Sequence, residues 1–299
     1  MIMPVILIIL SFTLSGRSSS QELKEETWKF LKKDTLSLET LGSTKVFISG
    51  SGSGQIEIKL QYAAKADEKF ELKEKENAIN LKEIVLNYDS HRPAQTYFED
   101  WIWTITVPQG TYIKCDGSST DFEITGFDGS INAHYASTKF NIANVKGNIE
   151  LSMAQLDARI DNSEGSFKLS SAGGSIKADD LTITGNSSFR SGTGSINISL
   201  ARSPSADLYV GSNFNKAQIS FNDHPVSGYF ELIARAGKGS IICPYKFDRE
   251  ETFSDDIERY GAASDFGKKG DYYRKSFIRG DSKPKITIKT VTGTAQLTK

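Results

Sequence analysis

The sequence predicts an all-β fold: a single-stranded parallel β-helix, or β-solenoid, with 18-residue turns and irregular excursions near both ends. Three observations lead to this prediction. Four consecutive blocks of 18 residues align without gaps, and apolar residues alternate with polar ones inside each block. The composition combines 25 glycines with only 7 prolines among 299 residues. Short strands joined by tight corners fit such a composition better than helices do.

The four blocks cover residues 109–180 and read QGTYIKCDGSSTDFEITG, FDGSINAHYASTKFNIAN, VKGNIELSMAQLDARIDN and SEGSFKLSSAGGSIKADD. Apolar residues that lie two apart are typical of a strand with one buried face, so each block predicts two short strands. A strand pair of this size cannot bury its apolar face alone, so we expect successive blocks to stack in parallel. The fifth place of the blocks shows the pattern most clearly, with Ile113, Ile131, Ile149 and Phe167.

Small and polar residues recur at the expected corners. Small residues permit sharp corners and close stacking. Stacked Asn or Asp at a corner is expected to cap backbone groups from block to block rather than to bind a metal. The third place holds Gly129, Gly147 and Gly165, the tenth holds Ala136, Ala154 and Ala172, and the eighteenth holds Asn144, Asn162 and Asp180.

The Gly–small–apolar–x–apolar pattern returns less regularly outside the blocks, at 54–58, 194–198, 239–243 and 293–297. We therefore expect one domain over residues 35–299, preceded by a lead-in over 21–34. Two segments break the period. Residues 63–97 are highly charged and predict strands near 69–73 and 78–86, which form a solvated cap or, alternatively, a partner-binding flap. Residues 244–283 form the second excursion.

Residues 1–20 predict a signal peptide, because an apolar run too short to span a bilayer is followed by small residues. The alternative is a short buried helix or strand. Export would place the chain in the periplasm, at the cell surface or in the medium. The run is not followed by Cys, which argues against a lipoprotein, and no second apolar stretch predicts a transmembrane segment after cleavage.

Charge and chemical motifs narrow the functional classes. The formal net charge of −1 offers no field that would attract nucleic acid. None of the three histidines has a second metal ligand at a usual spacing, and no phosphate loop, dinucleotide motif or nucleophile elbow is present. Cys115 and Cys243 are expected to be free thiols at inward places. We therefore predict no cofactor and no metal.

Carbohydrate-cleaving enzymes can be built on β-helices, so one carboxylate pair was considered as a catalytic pair. Asp157 and Asp161 lie four residues apart on one strand face, a geometry open to acid–base chemistry. The outward thirteenth place alternates in sign from block to block, through Asp121, Lys139 and Asp157. Such alternation stabilises stacked neighbours and favours the structural interpretation.

The second excursion carries the best candidate ligand site. Aromatic and basic residues interleaved on a loop can stack on sugars while pairing with anions. The alternative is that the aromatic rings pack the loop onto the flank of the stack, and the nearby acidic residues favour it. The candidate residues for a ligand or partner are Tyr245, Phe247, Tyr260, Tyr272, Tyr273 and Arg274.

Three features together resemble a known family: the repeated Gly-Ser/Asn-Ile-x-apolar units, the opening strand WTITVP at 103–108 and the closing PKITIKTVTG at 284–293. Over about residues 35–299, the chain is similar to the bacterial "putative adhesin" domain of unknown function and to the related head-domain family of putative autotransporter adhesins. The resemblance implies an exported single-chain β-solenoid, and no catalytic or ligand residues carry over from it.

The expected function is a non-catalytic adhesin, or a binding or scaffold module of the cell envelope. Its partner would be a cell-surface glycan or an envelope protein. The alternatives are a carbohydrate-active enzyme on a β-helix and an accessory protein of the envelope-stress response.

Overall fold

The structure is a computed structural model that describes residues 23–256 and 269–299. Strands make up 67% of it, and the described residues contain no α-helix, so the predicted all-β class is confirmed. The one helical element is a 3₁₀ turn, Ala94–Thr96. The predicted signal peptide, residues 1–20, lies outside the described residues.

The strands follow one another along the chain, and the longest connection between them within the described residues, 86–101, joins β6 to β7. The first eleven are β1 Leu23–Leu31, β2 Thr35–Thr40, β3 Thr44–Ser51, β4 Gln55–Ala63, β5 Glu68–Glu74, β6 Ala78–Val85, β7 Ile102–Pro108, β8 Tyr112–Thr125, β9 Asp128–Ala143, β10 Lys146–Asp161 and β11 Glu164–Gly173. The others are β12 Ile176–Ile183, β13 Ser187–Ser191, β14 Ile196–Leu200, β15 Leu208–Ser212, β16 Ala217–Ser220, β17 Gly228–Arg235, β18 Ser240–Ile242, β19 Arg249–Asp256, β20 Lys269–Arg279, β21 Lys285–Thr290 and β22 Thr294–Thr298.

The predicted 18-residue register is present in the middle of the chain. Strands β8 to β11 pair in parallel, and each residue lies opposite the residue 18 places later, so that Ile113, Ile131 and Ile149 form one inward row. The strand segments of one block therefore form one rung of a stack. In β8, β9 and β10 the two predicted short strands are joined into one bent strand, because the pairing resumes within one residue of the corner at Ala154.

Each rung contributes to two series of neighbouring strands. The first series runs in the order β5, β6, β2, β8, β9, β10, β11, β13, β15, β21, β17, β20, β19. The second runs β1, β4, β7, β3, β8, β9, β10, β12, β14, β16, β22, β18. The apolar residues of both series form one continuous core.

The first and last rungs of the chain do not lie at the ends of the stack. Strands β2 and β3 lie between β8 on one side and β6 and β7 on the other. Strands β21 and β22 lie between β15 and β16 on one side and β17 and β18 on the other. Strands β6 and β7 thus cover the rung of β2 and β3, and strands β17 and β18 cover the rung of β21 and β22.

Antiparallel pairs occur in these end regions, so the sheet is mixed and the structure does not show a purely parallel arrangement. The first excursion contains the hairpin β5–β6, close to the two strands predicted there. The second excursion contains the antiparallel strand pair β19–β20, although the sequence predicted a loop there. A hairpin reverses the chain, and antiparallel pairing follows from that reversal.

The corner residues adopt backbone conformations that explain the repeat. At the eighteenth place, Gly126, Asn144, Asn162 and Asp180 have φ angles of 60°, 56°, 44° and 54°. Among non-glycine residues, Asn and Asp tolerate this left-handed region best. The side chain amide of Asn162 also donates to Asn144 Oδ1 at 2.6 Å, so these corner side chains bond to each other from rung to rung, whereas the sequence predicted that they cap backbone groups.

Candidate functional site

The structure separates the aromatic and basic residues of the predicted ligand site. Successive residues of a strand point to opposite faces, so Tyr272 and Arg274 lie on one face of β20 and Tyr273 lies on the other. Tyr272 is fully buried, whereas Tyr273 is 48% exposed. Tyr245 and Phe247 precede β19 and pack against Phe277 on the core side. Tyr260 lies outside the described residues.

Cations of the same hairpin occupy the ring faces on which a ligand would stack. Arg279 lies over the Tyr245 ring at 4.5 Å, and Lys275 lies over the Phe247 ring at 5.3 Å. Arg274 lies 4.3 Å from the centroid of Phe253 and donates to Glu251 Oε1 at 2.7 Å. These contacts favour the packing interpretation. The role of the six residues in ligand binding stays a prediction.

The carboxylates considered for catalysis are engaged by their neighbours. Asp157 Oδ1 accepts a hydrogen bond from the backbone N–H of Ser175 at 3.0 Å. Asp161 Oδ2 accepts one from Arg159 Nε at 2.8 Å. One rung further on, Lys177 pairs with Asp179 at 2.8 Å. This outer face of the second series therefore carries charges that pair within the face.

Groups that could hold a metal or react as nucleophiles are sparse. The described residues contain no cluster of three His, Cys, Asp or Glu side chains with metal-binding geometry. Cys115 is buried, and desolvation raises the pKa of its thiol. Cys115 and Cys243 are both free, as expected. Within the described part of the chain, no helix is long and apolar enough to cross a membrane.

The sequence analysis did not predict the buried carboxyl groups, and Glu83 is the most deeply buried of them. Glu83 lies at an inward place of β6 and accepts hydrogen bonds from Leu41 N at 2.6 Å and Trp103 Nε1 at 2.9 Å. Thr44 Oγ1 lies 2.8 Å from Glu83 Oε1. Burial raises the pKa of Glu83 to about 8, against the lowering effect of these three hydrogen bonds. Its burial could have been predicted only from its place in the strand, because Glu83 lies two residues after Leu81 and four after Ile79, on the same face of β6.

A polar groove crosses the outer face of the first series. Two adjoining depressions, of about 360 and 450 Å³, share the side chains of Asn148 and Ser166. The floor is formed by small fourth-place side chains and the third-place glycines. The banks and ends are formed by Tyr112, Asn132, Lys146, Glu150, Glu164, Lys168 and Thr184.

The glycines of the floor are required by the stacking. Gly147 and Gly165 have φ angles of 130° and 150°, a region that L side chains rarely adopt. A Cβ on Gly147 would collide with the carbonyl oxygen of Gly129, and one on Gly165 would collide with that of Gly147. The groove is therefore a direct consequence of how closely the rungs approach at this corner.

The sequence contained a signal for this groove that was not used. The fourth place holds small or amide side chains in three successive blocks, Ser130, Asn148 and Ser166, beside the invariably polar sixth place. A row of glycines at the third place, followed by polar rows at the fourth and sixth places, predicts a trough once the rungs are stacked.

Comparisons with known proteins add distant structural neighbours. No family model matches the chain, and no curated protein matches it. A solved structure from Clostridium sporogenes, described as a "putative cell adhesion protein", is 14% identical, with 93% of this chain and 99% of that chain covered and a TM-score of 0.31. One from Bacteroides fragilis, described as a "putative adhesin", is 14% identical, with 95% and 99% covered and a TM-score of 0.44. This likeness is too distant to assign a function.

Proposed function

We propose that the chain is an exported, non-catalytic β-solenoid of the adhesin type, which binds a partner at the cell envelope through an outer face of its stacked rungs. Residues 1–20 serve as its signal peptide. Residues 35–299 act as one unit, and the single continuous core supports this.

The observation that carries the proposal is the regular spacing of outward side chains. Across β8 to β11 the rungs are in strict 18-residue register, so the outward side chains form straight rows at about 4.8 Å intervals. A surface of this kind can contact an extended partner at many regularly spaced points. Weak contacts add up when they engage together.

The catalytic alternative is less well supported by the geometry. The carboxylates of Asp157 and Asp161 are each held by a hydrogen bond within the face, and neither lines the groove. A general acid or base acts on a substrate held in a cleft, and both carboxylates lie outside the groove.

Sedimentation with isolated cell envelopes tests the proposal. We expect purified chain 21–299 to co-sediment with envelopes of its own bacterium in a saturable manner. Recovery of the chain in the soluble fraction at every envelope concentration would reject envelope binding.

Two further measurements separate the alternatives. Expression with and without residues 1–20, followed by fractionation, tests export. If the chain is exported, the truncated form should be absent from the extracytoplasmic fraction.

The catalytic alternative is tested by polysaccharide degradation. Degradation by the parent chain that is lost in Asp157→Asn would reject the non-catalytic binding function in favour of an enzyme.

A further inference from the structure

We propose that the groove across β8 to β11 binds a linear, uncharged oligosaccharide. This inference rests on the proposed binding function and identifies the site and the class of ligand. The groove is distinct from the aromatic hairpin that the sequence favoured, which lies at the far end of the first series.

The length of the groove fits a chain ligand. It extends from Tyr112 across the rungs of Ser130, Asn148 and Ser166 to Thr184. Four rung intervals of about 4.8 Å correspond to roughly 19 Å. A polar side chain lines the groove at every interval, so a ligand with repeating units would meet polar contacts along its whole length.

One bank of the groove carries three polar side chains that have no partner among the described residues. In the described residues, no hydrogen bond or ion pair joins the side chains of Asn132, Glu150 and Lys168 to another residue. Nine places further along the same rungs lie Asn141, Arg159 and Lys177, on the opposite face. There, Arg159 and Lys177 pair with Asp161 and Asp179. This bank thus keeps its donors and acceptors available, whereas Ser166 in the floor donates to Asn148 Oδ1 at 2.6 Å.

The charge of the groove favours an uncharged ligand. Lys146 and Lys168 are balanced by Glu150 and Glu164, and Glu164 also lies 3.3 Å from Arg202. A polyanion such as nucleic acid would need an excess of cations. Sugar hydroxyl groups both donate and accept, so they can satisfy amides, carboxylates and ammonium groups in the same site.

Other ligand classes fit the groove less well. A peptide that adds to a sheet needs a free strand edge, whereas the backbone beneath the groove is already paired between rungs. A lipid needs apolar lining, but Ile131 and Ile149 are almost completely buried beneath the polar rows. An aromatic ring is available at one end, where Tyr112 is 39% exposed and can pack on the apolar face of a sugar.

Calorimetric titration of chain 21–299 with cellohexaose, hexa-N-acetylchitohexaose and mannohexaose tests the proposal, with hexagalacturonate as the charged comparator. We expect at least one neutral hexamer to bind, and to bind more tightly than hexagalacturonate. Absence of binding by all three neutral hexamers, or a preference for the charged one, would overturn the proposal.

Two double variants locate the site. Asn132→Ala with Lys168→Ala removes two of the three polar side chains of one bank and is expected to weaken binding at least tenfold. Asn141→Ala with Lys177→Ala removes the same residue types from the same rungs on the opposite face, and should leave binding unchanged. Equal binding by the two double variants would place the ligand elsewhere and overturn the proposal.

Tyr112→Ala provides an independent check, because it removes the ring at one end without changing charge. It should weaken binding of the hexamers severalfold, and unchanged affinity would contradict the proposed orientation along the groove.

Envelope sedimentation separates the proposed sugar site from the proposed binding function. Retention by envelopes without hexamer binding would leave the proposed function standing and the sugar site rejected, and the reverse result would reject envelope binding alone.

Discussion

No charged side chain is buried in residues 109–180, whereas the end regions bury four within the described residues. Glu68 and Glu83 lie in the first excursion, and Glu231 and Lys289 lie in β17 and β21. The middle rungs bury apolar and hydroxyl-bearing side chains, and they hold their charges on the outside. The two regions therefore use different means to fix how strands pair.

The difference lies in what each region has to specify. A repeating apolar row stacks equally well on any similar row, so it does not determine where the stack ends. A buried charge is destabilising unless its partner is in place, so it favours one arrangement. Glu231 of β17 pairs with Lys285 at the start of β21 at 2.8 Å, which joins the inserted last rung to the strand that covers it. Glu83 joins β6 to the first rung by hydrogen bonds from Leu41 N and Thr44 Oγ1 and not by an ion pair.

The largest expected effect concerns Glu83 and the pH dependence of stability. The folded chain holds the Glu83 proton more tightly than the unfolded chain does, because burial raises its pKa from 4.5 to about 8. The free energy of unfolding should therefore fall as the pH rises from about 4.5 to about 8, by up to about 5 kcal/mol, and then level off. Glu83→Gln cannot ionise and should remove most of this dependence, as urea denaturation across pH 4–9 would measure.

The stability of Glu83→Gln at low pH and a second Glu→Gln variant serve as controls for this prediction. At pH 5 the Gln variant should be less stable than the parent by about 1–3 kcal/mol, because one buried donor loses its acceptor. Glu150→Gln changes an exposed carboxylate of the middle rungs and should retain the pH profile of the parent. A profile for Glu83→Gln that parallels that of the parent would contradict the assignment.

The second prediction tests the close approach of the middle rungs. Gly147→Ala introduces a Cβ that meets the carbonyl oxygen of Gly129, at a φ of 130°. We expect the free energy of unfolding to fall by about 2–4 kcal/mol. Gly54→Ala is the matched control, since no atom lies within 4 Å of its added Cβ. Equal stability of the two variants would show that the rungs can separate at this corner.

The same contrast explains how much the sequence could predict. The inward rows, the 18-residue register and the corner residues all followed from periodicity, because each place meets the same environment in successive rungs. The insertion of β2 and β21 between other strands could not be predicted, since it depends on single contacts such as that between Glu231 and Lys285. Alternation within a strand separates Tyr272 from Tyr273, which composition alone did not reveal.

A smaller effect is expected at the eighteenth-place corner. Asn162 has a φ of 44° and donates its side chain amide to Asn144. Asn162→Ala should cost about 1–2 kcal/mol, because an alanine is disfavoured in the left-handed region. Asn162→Gly relieves that cost but loses the amide contact, so it should lie within about 0.5 kcal/mol of the parent. Thermal denaturation distinguishes backbone conformation from hydrogen bonding, since a Gly variant as unstable as the Ala variant would assign the effect to the amide.

The smallest expected effect compares two exposed lysines of the middle rungs. Lys177 pairs with Asp179 at 2.8 Å, with 56% of its side chain exposed, whereas no ion pair of Lys168 occurs in the described residues. Lys177→Ala should lower the free energy of unfolding by about 0.2–1 kcal/mol at low salt, and less at high salt because exposed pairs are screened. Lys168→Ala should have no measurable effect, since this side chain is held available for a ligand. If Lys168→Ala destabilises the chain as much as Lys177→Ala does, then Lys168 stabilises the stack itself, and the groove loses the unpaired bank on which sugar binding depends.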